Sequence, residues 1–125
     1  MSRTEQRRAA VFALYGRAVT KNPEHGPGEA LRPFGQELVD GVEQHAAELD
    51  RLIADHAIGW DLDRIAPLER SILRVALFEM RFRPDIPDEV AIDEAVETAK
   101  NYCGADTPGF VNGILGAVMK EGEVK

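Results

Sequence analysis

Between Pro67 and Phe82 the apolar residues fall on two stripes of one helix: Leu68, Ile72, Val75 and Ala76 on the first, Leu73, Leu77 and Met80 on the second. A helix that is apolar around most of its circumference has to be surrounded by other elements. Arg70, Arg74 and Arg81 share the face that is left. Glu79 breaks the pattern. It falls one turn after Val75, in line with the first stripe, where an unpartnered carboxylate is costly once buried. Two partners can answer it: a cation of another chain, or an internal one such as Arg83 at i+4.

The rest of the chain also reads as helix, and no run of residues alternates over strand length. Ser2 and Glu5 form an S-x-x-E capping box. Val11, Leu14, Tyr15 and Ala18 follow it at helical spacing as one buried stripe, with the Tyr15 hydroxyl expected to reach the surface. Arg7 lies one turn before Val11, and Arg8 one turn before Phe12, off the main stripe. Two prolines and two glycines make residues 21–29 a loop. From Pro33, the residues Phe34, Leu38, Val42, His45, Leu49, Leu52 and Ile53 predict one long helix, or two with a bend near His45. On this stripe His45 reads as a hydrogen-bonded structural histidine. Gly59 is a helix stop, and residues 62–66 are a short turn or a single helical turn. Arg83-Pro84-Asp85-Ile86-Pro87 ends the central helix, and Asp88 is placed to cap the next. There Ile92, Ala95, Val96 and Ala99 face inward, and Asp93, Glu97, Lys100 and Asn101 outward. Thr107-Pro108 starts the last helix. Gly109, Gly113 and Gly116 recur along one side of it, which implies a large neighbour on that side, in the first place another helix of the domain and in the second a ligand or partner chain. Six or seven helices and no sheet result.

The chain has 125 residues, 44% of them hydrophobic and 30% charged, enough for one domain with its own core. It carries no apolar run long enough for a membrane span and no apolar leader, so the cytoplasm is the expected location. Cys103 is the single cysteine, in keeping with a reducing compartment, and reads as a small hydrophobe. Charge is divided unevenly. Residues 1–21 carry Arg3, Arg7, Arg8, Arg17 and Lys21 against Glu5, a balance of +4, while the remainder carries −11, for a net −7. A basic head on an acidic body fits either a phosphate-binding element or a solvated helix face. The serines, Ser2 and Ser71, sit in no nucleophile turn, no Gly-rich phosphate loop occurs, and a lone Cys with three scattered His gives no zinc spacing. Neither a catalytic centre, a metal nor a cofactor is therefore expected.

Several segments matter together: Leu68-Glu69-Arg70-Ser71-Ile72-Leu73-Arg74, Leu77-Phe78-Glu79, Ile86-Pro87, Val90-Ala91-Ile92-Asp93-Glu94-Ala95-Val96-Glu97, Ala99-Lys100 and Phe110-Val111-Asn112-Gly113-Ile114-Leu115. Upstream stand Arg7-Arg8-Ala9-Ala10-Val11 with Ala13-Leu14-Tyr15, then Leu38-Val39 with Gly41-Val42, and Leu49-Asp50 with Ile53. In this order the set closely resembles the NusB family of bacterial transcription antitermination factors, over nearly the whole chain.

The resemblance implies an all-α fold of about seven helices in two small packed bundles, and a single RNA-binding domain over residues 1–125. It implies no catalysis. It implies partners instead: the ribosomal protein NusE, single-stranded boxA RNA bound jointly with NusE, and the elongating RNA polymerase complex. Arg3, Arg7, Arg8, Tyr15, Lys100, Asn101, Phe110 and Asn112 are the residues it places toward RNA. Glu69, Arg74 and Glu79 are those it places toward NusE, which would give Glu79 a cation from another chain. Asp93 departs from the asparagine more usual in the family, exchanging a donor for a charge. NusB-like domains also occur fused to RNA methyltransferases; a chain ending at Lys125 is expected to be the free-standing factor. The alternative is a protein-interaction module, or a homodimer that buries the arginine face and binds little RNA.

Overall fold

A computed structural model describes residues 2–20 and 31–124. The loop expected at residues 21–29 lies outside the described residues. Those described form six α-helices and one 3-10 turn, with no strand among them. The helices are α1 (Arg3–Thr20), α2 (Pro33–Gln44), α3 (Ala46–His56), α4 (Pro67–Phe82), α5 (Asp88–Tyr102) and α6 (Thr107–Val124). The 3-10 turn covers Leu62–Arg64, between α3 and α4.

The helix α4 is the hub and packs against all five others. The helices α1 and α2 pack on each other and on α4, as α5 and α6 do, and α3 touches both α4 and α6. The two groups share one core, in which Leu38, Leu49, Ile53, Ile72, Leu73, Leu77, Val111 and Leu115 are all but sealed from solvent. This arrangement answers the two-striped pattern of α4, since each stripe has its own set of neighbours.

The termini follow local chemistry, with some differences from expectation. The capping box forms as read: the Glu5 N–H donates to Ser2 Oγ at 3.1 Å. Asp88 is not the cap of α5 but its first residue. Pro87 occupies the cap position, and Asp88 and Glu89 place negative charge in the first turn, where the helix dipole favours it. Thr107 turns its hydroxyl toward α4 and donates to Glu69 Oε1 at 2.8 Å. Gly59 has φ +83°, a conformation glycine adopts without strain, three residues past the end of α3.

The break between α2 and α3 falls at His45 (φ −111°, ψ 20°). Its ring is held by stacking rather than by the hydrogen bond expected from the sequence: it lies 3.9 Å from the Phe82 ring, nearly parallel to it. Ala18, expected inside, is exposed, and the buried side of α1 instead begins with Arg7 and continues through Ala10, Val11 and Leu14. The glycines of α6 also differ from expectation. A Cβ added at Gly109, Gly113 or Gly116 meets nothing within 4 Å, so no element of the described fold packs closely on that face.

At the other end of α3, the protonated His56 ring donates through Nδ1 to Leu52 O and through Nε2 to a Glu121 carboxylate of α6. Burial alone lowers the His56 pKa. The hydrogen bonds to Glu121 and Leu52 and the charges of Glu121 and Asp55 outweigh it, and the net shift is upward. A histidine whose folded pKa is raised stabilises the fold fully below its unfolded pKa of about 6.5 and loses that contribution as pH rises through the folded value. Thermal melting from pH 5 to 9 should therefore show a stability difference between the wild type and His56→Ala that is largest at the acid end and shrinks above neutrality. A difference that grows with pH would contradict this.

Candidate nucleic-acid interface

The helix α1 carries its arginines on different faces, and the faces have different fates. Arg7 points inward and is 6% exposed. Its Nε donates to both oxygens of Glu79 at 2.9 and 3.0 Å, and its Nη2 to Oε2 at 2.8 Å. Glu94 of α5 stands 3.6 Å from Nη1 and itself accepts a 2.7 Å bond from Thr4. The Phe34 ring lies within cation–π range of Arg7 at 5.2 Å, and Arg3 and Arg83 approach the same ring at 4.5 and 5.3 Å. Planar, two-pronged pairing of this kind satisfies a buried guanidinium and a buried carboxylate together.

Two expectations are corrected by this geometry. Arg7 does not face phosphates, because its donors are spent inside the fold. Glu79 does not face a partner chain: it is 1% exposed, and its cation comes from α1, not from another protein and not from Arg83. Arg83 instead pairs with Asp85 and Glu37. Arg74 of α4 is likewise engaged, in a two-pronged pair with Asp50 of α3 at 2.7 and 2.8 Å, and Glu69 holds Thr107. Both are only partly buried.

Arg8 faces the other way. Its guanidinium carbon lies 5.8 Å from the Tyr102 ring of α5, its Nε is shielded from water, and among the described residues that Nε has no hydrogen-bond partner and the side chain no ion pair. Tyr102 in turn meets Phe12 of α1 edge-on, the ring centres 4.9 Å apart at 87°. Lys100 and Asn101 are exposed beside it at the end of α5, Lys100 only loosely tied to Glu97 at 3.8 Å. Tyr15 is half-buried, one turn beyond Phe12 on the side of α1 that carries Arg8. Arg3 is exposed and reaches Asp85 only at 4.0 Å. Arg8 of α1 thus meets the last turn of α5, which also carries the exposed Lys100 and Asn101.

Phe110 and Asn112 lie elsewhere. Phe110 leans on exposed Trp60, ring centres 5.4 Å apart, over a pocket of about 140 Å³ that Ile65, Glu69, Asp106 and Thr107 complete. Asn112 is exposed in an open groove between α5 and α6 with Asp93, Gly113 and Gly116. The sequence reading passed over Tyr102, Phe12 and Trp60. The signal available for Tyr102 was its place directly after the outward-facing Lys100 and Asn101.

Residues 4–120 match the sequence profile of the NusB family. The chain belongs to that family. A transcription antitermination protein NusB of Symbiobacterium thermophilum is 41% identical to it over 138 aligned positions, covering 96% of this chain and 90% of that protein. One of Frankia casuarinae is 49% identical over 87 residues, 70% of this chain but 64% of the relative, so the chain aligns with less than two thirds of that protein. A crystal structure of antitermination factors NusB and NusE in complex with dsRNA superposes with a TM-score of 0.80 over 97% of this chain and 99% of that one. At 24% identity it shows a common fold. The all-α NusB fold read from the sequence is therefore present. Within it, the pairing of α1 with α4 through Arg7 and Glu79 is internal architecture, and Lys100, Asn101 and Tyr102 at the end of α5 are exposed. No described helix is long and apolar enough to cross a membrane.

Proposed function

We propose that this chain is a single-domain, non-enzymatic transcription antitermination factor that acts in the cytoplasm. Together with a NusE-type ribosomal protein it binds single-stranded boxA RNA and joins elongating RNA polymerase. The names of its relatives and the NusE- and RNA-bound neighbour support this reading. The observation that carries it is Arg8: a cation without a counter-charge among the described residues, against Tyr102 on the helix turn that carries exposed Lys100 and Asn101, on a protein of net charge −7. A phosphate supplies what Arg8 lacks. Arg3, Tyr15, Phe110 and Asn112 complete the proposed RNA-facing set, and Glu69 and Arg74 the proposed partner face.

Anisotropy titrations of a boxA-like RNA, with and without NusE, test this over a range of salt concentrations. Arg8→Ala is expected to reduce the salt slope of log K by about 0.7, the loss of one phosphate contact on a single strand. An unchanged affinity and slope would remove Arg8 from the interface, and no binding even with NusE would end the reading. The burial of Arg7 favours one competing view, a protein-interaction module with little RNA affinity of its own, since α1 offers fewer free cations than its sequence suggests. On that view NusE binds and RNA does not.

A further inference from the structure

We infer that Tyr102 is a nucleobase-stacking residue, with its ring set in place by Phe12 and Arg8; the inference rests on the RNA-binding reading above and names a contact within it. Tyr102 is one of the few large apolar side chains left substantially open to solvent, at 47% exposure. Its position is nonetheless well defined. Phe12 meets it edge-on from α1, the geometry aromatic pairs prefer, and the Arg8 guanidinium lies over the ring. A ring held in this way loses little conformational freedom when a ligand arrives.

The surroundings select the kind of ligand. Every base has a π-face, and single-stranded nucleic acid is bound by pairing aromatic platforms with cations that follow the backbone. Arg8 supplies a cation at the Tyr102 ring, and the exposed Lys100 and Asn101 precede Tyr102 on the last turn of α5, adding a second cation and an amide able both to donate and to accept. A second aromatic pair, exposed Trp60 with half-buried Phe110, has no cation lining its pocket, where Glu69 and Asp106 stand instead. Of the two aromatic sites, charge therefore assigns the stacked base to Tyr102.

The test compares Tyr102→Phe, Tyr102→Leu and Tyr102→Ala in titrations with boxA-like RNA in the presence of NusE, using one strand set that carries 2-aminopurine at single positions. Loss of one stacked base is expected to weaken binding roughly 5- to 150-fold. The leucine and alanine variants should show this loss with the salt slope unchanged, since stacking releases no counterions, whereas the phenylalanine variant should bind as the wild type does. One 2-aminopurine position should be quenched by wild type and Tyr102→Phe but not by Tyr102→Leu. Leucine keeps an apolar cover over Phe12, so a stable leucine variant separates stacking from folding. Wild-type affinity and quenching in Tyr102→Leu would overturn the stacking role alone. Absence of RNA binding by the unmodified chain with NusE would overturn the parent reading along with it.

Discussion

Glu79→Ala is expected to destabilise the free protein by about 3–5 kcal/mol, the cost of removing one member of a buried ion pair. The carboxylate is 1% exposed and accepts three close donor contacts from Arg7. Without it, the Arg7 guanidinium remains 6% exposed, with only Glu94 near, at 3.6 Å from Nη1. An uncompensated cation in that place accounts for most of the loss. Against a domain stability of about 5–15 kcal/mol, such a loss is a large share of the whole. Urea unfolding measures it directly. The companion variant Arg7→Met with Glu79→Leu should recover much of the stability, because replacing both charges by apolar groups removes the desolvation penalty along with the attraction. With the matching single variants Arg7→Met and Glu79→Leu, this double variant completes a cycle whose coupling energy reports the pair. A Glu79→Ala protein that unfolds within about 1 kcal/mol of the wild type would show that the pair does not hold α1 to α4. The partner-interface expectation makes the opposite demand: a free protein of normal stability with weakened NusE binding.

The second large effect is expected at Gly41. A Cβ there would stand 2.2 Å from two atoms of the Phe78 ring, Cε1 and Cζ, and 2.8 Å from a third. Phe78 cannot simply swing away, since it is buried in α4 with its ring against the stacked pair of His45 and Phe82, 6.2 and 5.5 Å from their centres. Helix propensity alone would favour alanine at a helical glycine by about 1 kcal/mol. Here overpacking opposes it, at about 1–3 kcal/mol for ordinary cores and at the upper end for so close an approach. Gly41→Ala should therefore lower stability by about 2 kcal/mol net, and Phe78→Leu, harmful by itself, should partly relieve it. Gly113→Ala and Gly116→Ala provide the control, since a Cβ at either meets nothing within 4 Å. Propensity then acts alone and each should stabilise by about 0.5–1 kcal/mol. Thermal melting of the four single variants reads both signs. A stabilising Gly41→Ala would mean that α2 does not approach α4 this closely.

Helical periodicity is local, and it survived the comparison with the structure. The α4 pattern required surrounding helices and has them. Pro33 and Pro67 open helices where expected, and the chain bends at His45. These features are set by neighbours in sequence: backbone propensity, capping and the 3.6-residue repeat. The glycine side of α6 was misread for the same reason. Periodicity shows which residues share a face, but not whether anything lies against it.

The two misaligned charges show where that reach ends. Glu79 stood out in the sequence because it lies on an apolar stripe, and Arg7 was visible one turn before Val11. Either fact alone permits several partners, and the sequence reading set Arg7 against RNA and Glu79 against another protein. They are 72 residues apart, and no local rule pairs groups so far separated. The crossing of α1 on α4 brings them within hydrogen-bond distance. The same crossing leaves Arg8 on another face, against Tyr102 and without an ion pair among the described residues. The sequence by itself determined the helices, their ends, the basic head and the family likeness. The tertiary structure alone decided that Arg7 is a brace and that Arg8 lies against Tyr102, and it brought Tyr102 of α5 against Phe12 of α1. Burial and charge pairing are set by which helices meet, and that depends on the whole core.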